Sequence, residues 1–147
     1  MSGDIIEKIT SKGINVVFSR SEKPKKLALE FGSELLRFKD MTPPNMLSSE
    51  SPPLMLLAGD GTSIELSKRR EPMPFWHRNM DYDEVIICIK GEAKWSTETG
   101  EYNLKEGEMI LIPRGVSHTV VANKDTDYTA IEIKSRPQLT VNKELKK

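Results

Sequence analysis

Two histidines stand in this chain of 147 residues, His77 and His118, and one carboxylate, Glu84, is spaced to join them. Imidazole nitrogens and a carboxylate oxygen are donors that suit a divalent transition metal, so the three could converge on one ion. Any mechanism that needs a third histidine is excluded. His77 and Asn79 are two apart, so in an extended chain they point to the same side. Glu84 has the opposite parity. It joins them only if Met80 to Asp83 forms a loop and Glu84 begins the next strand, and Met-Asp-Tyr-Asp has the polar character of such a loop. Ile86 and Cys88 would then share the carboxylate's side. His118 follows the turn Pro113-Arg114-Gly115, with Val120 and Ala122 on its own side. Each candidate ligand thus sits at a strand end with apolar residues deeper on the same face, as at the mouth of a barrel.

The elements that must position these residues are short strands. Ile14 to Phe18 is β-branched and aromatic, and Leu27 to Phe38 reads as two strands about a Gly32-Ser33 hairpin turn, with a helix over Lys25 to Lys39 as the competing reading. Met41 to Pro53, with two Pro-Pro pairs and several serines, reads as a loop. Leu54 to Ala58 and Thr62 to Ser67 flank Gly59-Asp60-Gly61, a second hairpin signal. Val85 to Ile89, Ala93 to Ser96, Glu101 to Leu104, Met109 to Ile112, Ser117 to Ala122 and Tyr128 to Lys134 complete the series. Strands at such intervals predict an antiparallel barrel or sandwich. The expected organisation is one domain: N-terminal strands and the Pro/Ser loop over residues 1–53, a barrel core over 54–135, and a charged, mobile tail over 136–147.

Composition narrows the partners. Lys plus Arg and Asp plus Glu number 22 each, so the net charge is zero, which gives no support for nucleic acid or an anionic membrane as partner. One cysteine, Cys88, cannot form an internal disulfide, and a reducing cytoplasm is the expected setting. No signal peptide is visible, and no segment approaches the roughly 20 apolar residues that span a bilayer.

The two stretches carrying the ligands resemble the cupin superfamily. Its first motif runs Gly, five residues, His-x-His, three or four residues, Glu, six residues, Gly. This chain supplies His77, Glu84 with four residues between it and Asn79, and Gly91. Its second runs Gly, five residues, Pro-x-Gly, two residues, His, three residues, Asn. Here Gly107, Pro113, Gly115 and His118 match, and Asn123 stands one position late. Glu71 replaces the first glycine and Asn79 the second histidine. The resemblance therefore implies a small antiparallel jelly-roll β-barrel with extra N-terminal strands and a metal held by His77, Glu84 and His118. Two histidines and a carboxylate are the ligand set of non-haem Fe(II) oxygenases. Pro-Phe-Trp-His77-Arg-Asn79-Met-Asp-Tyr82-Asp-Glu84-Val also looks like the iron-binding stretch of homogentisate 1,2-dioxygenase and its relatives.

The expected function is an Fe(II) dioxygenase acting on a small aromatic or hydroxylated acid, without catalytic residues beyond the metal site. Asn79 and Tyr82 would stand beside the ion as hydrogen-bonding groups. The alternatives are an isomerase of a sugar or keto acid using Mn, Zn or Ni, and a non-catalytic small-molecule-binding module. A homodimer through the N-terminal strands is expected, because edge strands invite pairing. Cys88, Trp76 and Trp95 read as core or interface residues, Lys68-Arg69-Arg70 as a solvated turn, and Arg114 either as an attractor of an anionic substrate or as a surface residue.

Overall fold

A computed structural model describes residues 30–146. The chain divides into two compact units, Met1–Arg37 and Phe38–Lys147. The strand expected over Ile14 to Phe18 lies outside the described residues, as do residues 27–29 of the first arm of the Gly32-Ser33 hairpin. The second arm does not form: residues 31–38 carry no strand. A hairpin turn led by glycine needs positive φ there, and Gly32 is not among the glycines with positive φ.

The second unit holds eight antiparallel strands: β1 (Leu54–Gly59), β2 (Thr62–Lys68), β3 (Asp83–Lys90), β4 (Glu92–Thr97), β5 (Gly100–Lys105), β6 (Met109–Ile112), β7 (His118–Ala122) and β8 (Thr129–Ser135). They form a five-stranded sheet in the order β1-β2-β8-β3-β6 and a three-stranded sheet in the order β5-β4-β7. The core lies between them. The larger sheet contributes Ile86, Cys88, Ile112 and Ala130, and the smaller Ala93, Trp95, Leu104, Val120 and Ala122. Val120 and Ala122 share the face of His118, and Ile86 and Cys88 that of Glu84, as period two requires. Cys88 is a buried core thiol, pushed up in pKa by burial. Gly91, where the first motif ends, has φ +73°, and a Cβ there would lie 2.6 Å from the carbonyl oxygen of Thr126.

The Pro/Ser segment is not wholly irregular. A single helical turn, α1 (Pro44–Leu47), begins at a proline, which is tolerated at a helix start because its missing N–H has no partner there. Asn45 is buried and pins this turn to β2: its amide donates to Ser67 Oγ at 2.7 Å and its Oδ1 accepts from the backbone N–H of Lys68 at 3.2 Å. Residues 49–53 are thereby carried over one end of the barrel, where Ser49, Glu50 and the two prolines line a cavity.

The larger sheet has an unusual polarity. On β8, Ile131 and Ile133 face outward beside Ile64, Leu66, Val85 and Ile87, while Ala130, Glu132 and Lys134 face in with Ile86 and Glu84. On β2 the inward residues are Glu65 and Ser67, and the same parity continues to Arg69. The end of the barrel covered by the Pro/Ser segment is therefore lined with charge, and the opposite end with small apolar side chains.

Candidate metal centre

His77, Glu84 and His118 arrive at this charged end from three parts of the chain. The two histidines are cross-strand partners. His77 N–H donates to His118 O at 3.0 Å and His118 N–H to His77 O at 2.9 Å, so their side chains leave the same face. The rings meet edge to face with centroids 4.4 Å apart. Glu84 enters from β3, and one ligand atom from each of the three lies within 4.8 Å of the others.

The orientation of His118 suits a ligand. Its Nδ1 lies 3.0 Å from the carbonyl of Val116 and so carries the proton of the neutral ring, which leaves the Nε2 lone pair facing Glu84 Oε2 at 2.9 Å. That contact is close but poorly aligned. Glu84 Oε2, fully buried, has no partner meeting hydrogen-bond geometry. Two donor atoms in contact, one of them otherwise unsatisfied, are what neighbouring ligands of one cation look like. The residues therefore fit a divalent metal, and this cluster could hold one.

The electrostatics agree. Burial disfavours the ionised Glu84, but His118, Lys134 and His77 together hold the carboxyl below its usual range. His118 is pushed down by burial and raised on balance by Glu84, with the Val116 carbonyl and Glu132 adding to it. His77 is lowered, first by burial and then by His118, and stays neutral. His77 is thus ready to bind, and as the pH falls a proton competes with a metal for His118 Nε2.

The side groups expected beside the ion make their hydrogen bonds elsewhere. Asn79 Oδ1 accepts from the backbone N–H groups of Asp81 at 3.1 Å and Tyr82 at 3.2 Å, so it closes the turn that reverses the chain into Glu84. Its carbonyl accepts from Gly115 N–H at 2.7 Å, joining that turn to the one before His118. Tyr82 packs under Arg136, whose Nη2 lies 3.3 Å from its hydroxyl. Neither residue lines the cavity at the ligands. Arg114 is a strut: it donates from its backbone N–H and its Nε to Asp83 Oδ1, both at 3.0 Å, and from Nη2 to the carbonyl of Arg136.

The ligands open into a cavity of about 210 Å³, walled by Met73, Phe75 and Trp95 and edged by Arg69, Glu132 and Lys134. Trp95 is buried, donates from Nε1 to Tyr128 Oη at 3.2 Å, and keeps its ring 5.9 Å from that of His118. Trp76 is exposed. Lys134 pairs with Glu65 at 2.9 Å. Glu132 is buried, with Oε2 unpartnered, and burial pushes its carboxyl up against the opposing pull of Arg69. Sequence reasoning missed these three charged residues. A signal was present in Ala130-x-Glu132-x-Lys134, which runs from small to charged as the ligand strands do, but it competed with Ile131 and Ile133. A larger cavity of about 440 Å³, between Phe38, Met46, Ile89 and Tyr128, contains no histidine.

Residues 63–134 match the family described as Cupin domain. The folded barrel is a cupin. Solved cupins share its shape. A cupin-2 domain containing protein from Shewanella frigidimarina is 28% identical, over 58% of this chain and 80% of that one, with a TM-score of 0.50. A cupin protein from Bacteroides fragilis, 13% identical, covers 78% of this chain and 93% of its own with a TM-score of 0.56, and shows the fold alone. Among curated proteins, a Saccharolobus solfataricus protein named "Putative dioxygenase" is 32% identical over 80 residues, 54% of this chain. The match spans only 21% of that relative's length. No helix among the described residues of this cupin is long and apolar enough to cross a membrane.

Proposed function

We propose that this cupin is a non-haem iron dioxygenase acting on a small aromatic or hydroxylated acid, with Fe(II) held by His77, Glu84 and His118. The observation that carries the reading is the ligand set itself: two imidazoles and one buried carboxylate with an unsatisfied oxygen, facing a small cavity. Three protein ligands leave coordination positions open. The dioxygenase name of the S. solfataricus relative supports the same direction. Bound iron would supply Lewis acidity toward substrate oxygens and a centre for dioxygen chemistry.

The chain's own residues do the rest. Met73, Phe75 and Trp95 keep the reacting region dry on one side, and the Pro/Ser segment covers the other. With both histidines committed to the metal, the acid–base group is a carboxyl. Glu132 is the one placed for it, buried at the cavity edge and able to hold a proton at Oε2.

The test is oxygen uptake by Fe(II)-loaded protein against catechols, gentisate-like acids and diketones. Uptake with one of these classes is expected. Silence across the panel, with anaerobic turnover of a sugar or keto acid, would replace the dioxygenase with an isomerase.

We also propose a homodimer. Among the described residues the edge strands of the larger sheet are β1 and β6, and they expose Met55, Leu57 and Met109, each about half or more open to solvent. Such edges favour pairing with a second copy. Light scattering should give twice the chain mass, and a monomer at high protein concentration would refute it.

A further inference from the structure

Arg69 sits in a run of three basic residues just past β2, Lys68-Arg69-Arg70, and only its neighbours behave as such a run suggests. Arg70 is exposed, and Lys68 spends its ammonium on the carbonyls of Lys39 and Met41. Arg69 is 4% exposed. It continues the inward parity of Glu65 and Ser67 and lines the cavity shared by His77, Glu84 and His118. Among the described residues its guanidinium makes one hydrogen bond, from Nη1 to the carbonyl of Ser49, and at 3.4 Å that bond is long. Nε is buried and has no partner. No carboxylate of the described residues lies within ion-pair distance of it. A guanidinium held out of water without a paired anion is costly, and an anion entering the cavity would relieve that cost.

The geometry selects the kind of anion. With Nη1 turned toward Ser49, the edge formed by Nε and Nη2 is unoccupied among the described residues, and that edge presents two parallel N–H groups to the two oxygens of a carboxylate. Charge points the same way. Arg69, Lys134 and a divalent ion, set against Glu65, Glu84 and Glu132, leave positive charge even when every carboxylate is ionised, and the ligand that offsets it is an anion. Lys134 is already paired with Glu65, so the uncompensated cation is Arg69. Size limits the rest of the molecule. A cavity of about 150 Å³ holds one benzene, so about 210 Å³ takes a single ring with its substituents or a short-chain acid.

We propose that Arg69 anchors the carboxylate of the substrate, a small acid whose second oxygen function would reach the metal held by His77, Glu84 and His118. This rests on the metal-centre reading above and adds to it the residue that sets substrate class. Arg69 is a binding and specificity residue here, with no role in the chemical step.

Calorimetry on Zn(II)-loaded protein under nitrogen tests it without turnover. The probes are 2-hydroxybenzoate and phenol, which share a ring and a hydroxyl and differ in the carboxylate. Wild type should prefer 2-hydroxybenzoate at least tenfold. Arg69→Gln should bring the two within about twofold while keeping metal content and circular dichroism. Arg69→Lys, which keeps the charge without the fork, should lose at least threefold of the preference, and it decides the matter should the glutamine variant not fold. Equal binding of the two probes by wild type, or an undiminished preference in a folded Arg69 variant, overturns the proposal. Arg69 also borders the larger cavity, so the titration is repeated on metal-free wild type. Unchanged affinity there would place the acid in that other cavity and likewise overturn it. A carboxylate preference that survives alongside silent oxygen-uptake assays would leave the anchor standing and remove only the dioxygenase.

Discussion

His118→Ala will purify folded and without stoichiometric metal. The imidazole would supply one of three ligand atoms and the best oriented of them, since the Val116 carbonyl fixes its Nδ1 proton and turns Nε2 to Glu84. Removing a hydrogen bond that merely supports a ligand costs up to about 100-fold in metal affinity, so loss of the ligand itself must cost more. The barrel should survive, because its core of Trp95, Ile86, Ile112 and Val120 lies deeper on the same faces and does not use the metal. The lost contact leaves Glu84 buried beside one histidine, where it can take up a proton. The expected stability loss without metal is about 2 kcal/mol. Wild type carries a second signature. A proton and a metal compete for His118 Nε2, and Glu84 raises that group's pKa above the ordinary value of about 6.5. Metal affinity should therefore begin to fall while the pH is still above 6.5 and continue falling below it. Elemental analysis after dialysis at several pH values reads both effects. Full metal retention by the His118→Ala variant, with its fold intact, would remove this residue from the ligand set.

How much of this could be read from the chain depends on which property carried the information. Turn chemistry carried the strands. Gly59-Asp60-Gly61, Gly91, Gly100, Glu106-Gly107 and Pro113-Arg-Gly115 punctuate the barrel where the structure breaks it. Period two also placed Ile86 and Cys88 with Glu84, and Val120 and Ala122 with His118. It did not say which face turns inward. In β2 and β8 the apolar alternation belongs to the outer face, beside the half-buried Val85 and Ile87, and the inner face carries Glu65, Arg69, Glu132 and Lys134. A reading that sends isoleucines inward misses those four together, and it also makes Arg69 part of a solvated turn. The direct pairing of His77 with His118 is a matter of register between segments some forty residues apart, which spacing alone cannot fix. Asn79 is the complementary case. It occupies the place of a motif ligand, yet a short amide at a chain reversal finds backbone N–H groups within reach first, at Asp81 and Tyr82. The Gly32-Ser33 hairpin went astray for want of partners: a two-residue signal between apolar runs is weak when no third strand is specified to cover them.

Asp83→Asn should cost about 3 kcal/mol at neutral pH, with most of that difference vanishing in acid. Asp83 opens β3 next to Glu84, is 2% exposed, and accepts three hydrogen bonds: from Arg114 N–H and Nε to Oδ1, and from the backbone N–H of Leu139 to Oδ2 at 2.7 Å. It joins three segments at one point, namely the strand that carries Glu84, the turn before His118, and the chain beyond β8. Asparagine keeps one acceptor oxygen and places an NH₂ where the other stood, so at least one of these donors meets a donor. The Arg114 side chain is about a third exposed, which weakens the ionic part of the pair, and most of the cost therefore arises at the two backbone N–H groups. The pH dependence follows from the carboxylate. Burial alone would raise its pKa, but the Leu139 N–H and Arg114 prevail and hold it below the ordinary carboxylate range. In the unfolded chain the group titrates near pH 3.9, as model aspartates do. Between that value and the lower folded one the unfolded chain binds more protons, so the stabilisation is complete above about pH 4 and is lost as the pH falls further. Urea unfolding of wild type and variant at pH 7 and at pH 3 measures it. The gap between them should narrow at the lower pH, because other carboxylates titrate in both proteins and cancel in the difference. A gap of the same size at both values would mean that Asp83 acts by shape alone, and the charge-based account of this junction would be abandoned.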